Sequence, residues 1–203
     1  MRKFLLILLV CVCCCAQAQD VRTLFMEAPD SVFPLQSKRM RVELVEFANA
    51  GMRYELENAL EGKSVIEVLA DDYMLLRSSA SSTVQVKLLP RGEDFVICVV
   101  NTVAAEAADS RIAFFDGKWR RLATASFFSF PGIADFFVSP GENREEVGLC
   151  DIYLVSLGLN KDNLSIVADY TMPDYMSDED AERVRPLLRS IVYEWNGERF
   201  VSE

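Results

Sequence analysis

The chain contains no histidine. That absence removes the Ser/His/Asp and Cys/His nucleophile arrangements and every histidine-ligated metal site. Cysteine is almost as scarce. Four of the six cysteines, Cys11, Cys13, Cys14 and Cys15, crowd the first fifteen residues, and only Cys98 and Cys150 follow. Two thiols are too few for a thiolate zinc or iron–sulfur site. The nine glycines are scattered at turns, so no glycine-rich phosphate loop forms. Basic residues number 21 against 31 acidic ones. A chain with that balance is repelled by nucleic acid and by anionic membrane surfaces. Solubility is the plain meaning of the charge, and attraction of cations the sharper one. Long apolar runs are missing too. Phe4 to Cys15 is apolar throughout but shorter than the roughly 20 residues that a membrane-spanning helix needs.

That short run has the make-up of a secretory signal. Arg2 and Lys3 give it a basic start, and Ala16-Gln17-Ala18 places small residues at the two positions a signal peptidase reads. Cleavage after Ala18 leaves a mature chain of 185 residues, 19–203, with no transmembrane segment and 31 acids against 19 bases, a net charge of −12. None of the crowded cysteines follows a Gly or Ala, so the lipidation pattern is absent. A chain of 185 residues fits one domain and buries roughly 70% of its unfolded surface. Export permits a Cys98–Cys150 disulfide. Both cysteines also stand in apolar, strand-like surroundings, where two buried thiols acting as small hydrophobes are the alternative.

The organising stretch is Thr83 to Val103. Val84, Val86 and Leu88 alternate with Thr83, Gln85 and Lys87, which predicts a strand with one buried and one wet face. Phe95 to Val100 has no polar face and is expected mid-sheet, covered on both sides. Upstream, Asp20 to Pro34 reads as irregular. Ser37 is a plausible cap for an amphipathic helix from Lys38 to Ala50, with Met40, Leu44, Phe47 and Ala48 on one face and Lys38, Arg39, Arg41, Glu43 and Glu46 mostly on the other. Further strands are expected at Ser64–Ala70, Tyr73–Arg77, Asp151–Leu157 and Leu164–Tyr170. Asp116-Gly117 and Asn196-Gly197 each sit between extended runs, the mark of a two-residue hairpin. Ser177 with Asp180 forms a capping box for a short helix near the C-terminus.

Three constellations bear on chemistry. Phe127, Phe128, Phe130, Phe136 and Phe137 surround a Pro131-Gly132 turn. They form either a loop folded onto the core or an exposed apolar lip of a binding site. Burial of Phe127, Phe128, Phe136 and Phe137 in one core would remove the lip. Asp71, Asp72, Asp109, Asp151, Asp169 and Asp174 lie near strand ends, where a glycan hydrolase would hold its acid pair. No pair stands out, and turn duty accounts for aspartates there. Asn160 to Asn163 and Asp178 to Glu182 alternate oxygen ligands, but neither has the glycine and distant glutamate of an EF-hand. No metal, cofactor or catalytic residue is assigned.

Several blocks carry a resemblance. Gln19 to Phe25 with Ala28-Pro29-Asp30-Ser31, then Asp71-Asp72-Tyr73, Leu88-Leu89-Pro90, Val96 to Val100, Asp109 to Ile112 and Thr171 to Met176, together resemble a family of exported proteins of the Bacteroidales known as a domain of unknown function. The resemblance spans nearly all of the mature chain. It implies a Gram-negative host and a periplasmic or outer-surface address, and no activity. The expected architecture is α+β: a mostly antiparallel meander sheet, an N-terminal amphipathic helix packed on it and a short C-terminal helix. The expected function is a non-enzymatic periplasmic binding or interaction module, whose partner is a protein or small ligand of the cell envelope. A carboxylate-dependent glycan hydrolase and a structural component of an envelope assembly are the alternatives.

Overall fold

The computed structural model describes residues 20–202. The signal segment expected at residues 1–18 lies outside them. Asp20 caps a first helix, α1 (Val21–Glu27), by accepting from the Thr23 amide. Residues 20–34 were expected to be irregular, yet Val21, Leu24 and Phe25 have helical spacing and all three are buried. The second helix, α2 (Lys38–Asn49), starts at Ser37, whose hydroxyl accepts from the Met40 amide. Seven antiparallel strands follow, hydrogen-bonded in sequence order: β1 (Leu56–Glu57), β2 (Lys63–Leu69), β3 (Tyr73–Ser79), β4 (Ser82–Arg91), β5 (Asp94–Ala104), β6 (Ala108–Phe115) and β7 (Arg121–Leu122). After two 3-10 turns and α3 (Arg144–Gly148) come β8 (Val155–Leu159) and β9 (Ser165–Tyr170). Helix α4 (Asp178–Val184), capped by Ser177, precedes β10 (Ile191–Trp195) and β11 (Phe200–Ser202). These last four strands form a second antiparallel sheet in the order β11-β10-β9-β8. The class is α+β, with two sheets where one was expected. No helix among the described residues is long and apolar enough to cross a membrane.

Strand β5 shows why the layers stack as they do. Val96, Cys98 and Val100 face one core, shared with β8–β11, while Ile97 and Val99 face another, shared with α1 and α2. All five are at most 2% exposed, as a strand apolar on both faces requires. The large sheet is therefore the middle layer.

The same layering overturns the reading of β4. Val84, Val86 and Leu88 do face the helices, but the opposite face is not wet. Lys87 is 2% exposed, with its ammonium 2.9 Å from the Asp72 carboxylate and 2.9 Å from the Lys161 carbonyl. Gln85 and Ser110 serve the second sheet directly. The Gln85 carbonyl oxygen accepts from the Leu159 amide at 2.8 Å and the Ser110 hydroxyl from the Leu157 amide at 2.9 Å. Those are amides of the edge strand β8, which are left without a ladder partner and need an acceptor when covered. Polar side chains on β4 and β6 thus face a sheet edge rather than water.

Arg41 departs from its expected outer face in the same way. It is 1% exposed and forms an ion pair with Asp30 at 2.8 Å. It also donates to the Ala28 and Gln36 carbonyls, which ties the 28–36 segment to α2. Both hairpin turns are longer than expected. Asp116 accepts from the Lys118 and Arg120 amides, closing a five-residue loop. Asn196 accepts from the Glu198 and Arg199 amides, with Gly197 at a φ of +95°.

Candidate functional site

The phenylalanine segment goes inward. Phe127, Phe128, Phe136 and Phe137 are 5%, 1%, 0% and 1% exposed and belong to the core between the two sheets. Phe127 stacks on Phe114 at 5.0 Å and Phe136 on Tyr170 at 5.6 Å. Two 3-10 turns, Thr124–Ser126 and Ile133–Phe136, fold the segment over this core. The apolar lip is corrected accordingly: aromatic rings of β6, β9, β10 and β11 receive Phe127, Phe128 and Phe136. Phe130 alone remains at the surface, 48% exposed and edge-on to Phe128 at 5.1 Å.

Cys98 and Cys150 are both free and buried, so the disulfide is also corrected. Each lies in the core between the sheets. Burial pushes both thiols above their ordinary range, which leaves the protonated, non-nucleophilic form.

Four of the six strand-end aspartates are engaged structurally. Asp71 pairs with Arg22 and Asp174 with Arg185. Asp72 neutralises Lys87, and Asp169 accepts from the Ser190 hydroxyl. Asp94 and Asp116 do line one groove of about 580 Å³. Asp116 is held below its ordinary carboxyl value by the Arg120 amide, with further help from its guanidinium and the Lys118 amide. A carboxylate so stabilised stays ionised and is not itself a general acid near neutral pH. Among the described residues no cluster of three or more Cys, Asp or Glu residues has the arrangement of a metal site. Asn160 and Asn163 accept from the Asp162 and Ser165 amides, which is turn duty.

The unexpected feature is cationic. Among the described residues Arg91, Arg111, Lys118, Arg121, Arg144, Arg189 and Arg199 have no carboxylate within 4.0 Å, whereas every other lysine and arginine does. In a chain with 31 acidic residues, a cation without an acid beside it is the exception. All but Arg144 line grooves. Arg91 and Lys118 line the groove of Asp94 and Asp116, where Arg91 also stands 5.6 Å over the Phe127 ring. Arg189 and Arg199 line a second, of about 580 Å³, beside Phe130 and the edge of β11. Arg111 and Arg121 line a third, of about 450 Å³, on the face of β5–β7 that the helices leave open.

This third groove is the most built of the three. Phe115 and Ala113 make its floor, Asn101 and Ser31 offer hydrogen-bonding groups, and Trp119 forms a wall. Trp119 has a φ of +59°, a left-handed conformation that strains a bulky side chain. The Asp116 carboxylate holds the loop in that shape. The indole is fixed by its N–H to the Leu24 carbonyl at 3.1 Å and by edge contact with Phe33 at 5.8 Å. The sequence does carry a trace of the site: Arg111 to Arg121 holds four basic residues and one acid, against the balance of the whole chain.

A family model described as "Protein of unknown function (DUF3256)" matches residues 13–200. A solved domain of an uncharacterized protein from Porphyromonas gingivalis W83 superposes with a TM-score of 0.76 at 25% identity, covering 90% of this chain and 96% of that one. No curated protein matches.

Proposed function

We propose that this chain, which belongs to the DUF3256 family, is an exported, non-enzymatic binding or interaction module of the periplasm or outer surface, and that its partner is anionic. The address rests on residues 1–18 and on the resemblance to an exported Bacteroidales family. The similar domain from Porphyromonas gingivalis, a member of that order, supports the host. The single observation that carries the binding role is the placement of the unpaired cations. Six of the seven line grooves, where arginine forks meet carboxylate, sulfate or phosphate at short range.

The test is retention of the mature chain on an immobilised sulfated polysaccharide. A protein with 31 acidic and 19 basic residues in its mature chain has no bulk reason to stay on a polyanion. Retention at about 50 mM salt, with elution towards about 1 M as contacts are screened, is the expected result. Flow-through at every salt concentration overturns the reading. Fractionation of the host, with the intact mass of the exported chain, tests the address.

A further inference from the structure

The three cationic grooves are not equivalent. The one at Arg91 and Lys118 contains its own carboxylates, Asp94 and Asp116. The one at Arg189 and Arg199 has its guanidinium groups engaged, Arg199 with the Ser129 hydroxyl at 2.7 Å and Arg189 with the Asp135 carbonyl at 3.2 Å. In the third, Arg111 and Arg121 are both exposed, and no hydrogen bond or ion pair to another described side chain engages either. Arg121 stands opposite Phe115 on the neighbouring strand, and Arg111 lies four residues further along β6. At about 3.4 Å per residue the two positions are roughly 14 Å apart along the strand. Ala113, between them, and Phe115, level with Arg121, form a floor, with Trp119 beside it.

We infer that this groove receives an acidic saccharide, with Arg111 and Arg121 gripping anionic groups at its two ends and Trp119 packing against a sugar ring between them. The inference rests on the anionic-partner reading above. Two anchors separated by an aromatic wall suit a ligand whose charges are spaced by a flat, weakly polar unit. A sugar ring presents a face of C–H bonds to an aromatic and hydroxyls to groups such as Asn101 and Ser31. An acidic peptide fits less well. Strand addition needs a run of free edge amides and carbonyls, and the edge here, β7, is two residues long. The left-handed Trp119 is then a strained residue kept where it makes contact.

Tryptophan fluorescence tests this, because the chain has two tryptophans. Trp195 is buried in the other core with its N–H on the Pro90 carbonyl at 2.7 Å, so an exposed-site ligand reports through Trp119. Titration of the mature chain with an oligogalacturonate should change the emission saturably, and neutral dextran should not. Trp119→Phe should abolish the change. Arg111→Ala with Arg121→Ala should weaken binding by roughly tenfold to a hundredfold, as the loss of one or two charge-assisted contacts requires. Arg189→Ala with Arg199→Ala should leave it unaltered. Equal binding of dextran, of polyglutamate or of a deoxythymidine oligomer overturns the proposal, as does full affinity in the Arg111/Arg121 variant. If the sulfated matrix retains the wild type and loses only the Arg189/Arg199 variant, this site is overturned while an anionic partner stands. If the wild type flows through the matrix, both fall.

Discussion

Replacing Phe128 with alanine separates a buried aromatic segment from a binding lip. Phe128 is 1% exposed and meets three other rings, Phe130 at 5.1 Å, Tyr193 at 4.9 Å and Phe200 at 6.2 Å. Truncating a buried phenylalanine removes its transfer free energy and leaves a cavity, together about 3–5 kcal/mol. Phe130 is 48% exposed, so its truncation loses about half the burial of a large apolar side chain, roughly 1 kcal/mol. A domain of this size holds about 5–15 kcal/mol in all, so the Phe128 variant keeps a fold but a weakened one. With a urea slope of about 2 kcal/mol/M, Phe128→Ala should lower the midpoint by roughly 2 M and Phe130→Ala by about 0.5 M. The assay is equilibrium urea unfolding followed both by tyrosine and tryptophan emission and by far-ultraviolet circular dichroism. The two curves must coincide for the slopes to be compared. Equal midpoints for the two variants would refute the burial argument and restore the segment as a surface.

The other tests of the fold are brief. Glu67 sits between Arg53 and Arg77, and the Arg53 hydrogen bond, then that of Arg77, lowers its carboxyl to about 2. A depressed carboxyl stabilises the fold above its unfolded value and loses that contribution as pH falls through the folded one. Glu67→Gln should therefore cost about 1–2 kcal/mol at pH 7 after allowance for solvent screening, with the gap to wild type closing between about pH 5 and pH 2 in urea titrations. Cys98 and Cys150 should react as two thiols with a maleimide only after unfolding, and an intact mass that shows a disulfide in the purified protein would contradict the structure. Arg41→Ala should destabilise by about 2–4 kcal/mol, since it strips buried carbonyls at Ala28 and Gln36 of their donor. A thermal midpoint within a degree of wild type would sink that assignment.

What the sequence revealed was whatever a residue decides with its near neighbours. Phe95 to Val100 announced a strand covered on both sides, and it lies fifth of seven. Ser37 and Ser177 announced helix starts, and both cap as their side chains allow. What failed was the inference about what stands opposite the polar residues Gln85, Lys87 and Arg41, while Lys38, Arg39 and Glu46 are exposed as expected. Thr83, Gln85 and Lys87 alternate with valines and leucine as a solvated face would, but alternation reports only that two faces differ. It is silent on whether water or the edge of another sheet meets the polar one. Gln85 was polar because the Leu159 amide needed an acceptor, and Lys87 because Asp72 and the Lys161 carbonyl were there to hold it. The candidate groove was hidden for a related reason. An arginine without an acidic partner looks in sequence like any other, and only the fold tells Arg53, clasped by Glu67, from Arg111, which has no acid beside it.

That contrast also dictates an unusual salt dependence. Seen from the groove, residues 19–203 are a body of net charge −12 with a radius of gyration near 16 Å. Unscreened, a unit negative charge at that distance from the whole is opposed by roughly 3 kcal/mol in water, while each guanidinium at about 4 Å attracts it by about 1 kcal/mol in water and up to about 4 kcal/mol where solvent is partly displaced. The repulsion is long-ranged and the attraction short-ranged, so salt removes them in turn. At 0.01 M the Debye length is about 30 Å and the ligand feels the whole chain; at 0.15 M it is about 8 Å and only the nearest charges count. Affinity for an acidic oligosaccharide should therefore rise as salt increases from about 10 mM, pass through a maximum near physiological ionic strength, and fall again towards 1 M. Fluorescence titrations across that range measure it. Arg111→Ala with Arg121→Ala should weaken binding roughly tenfold to a hundredfold where the wild type binds best, and so flatten the maximum. A monotonic fall in the wild type, as a simple basic patch would give, would show that the ligand never senses the acidic body, and the groove would not be where it binds.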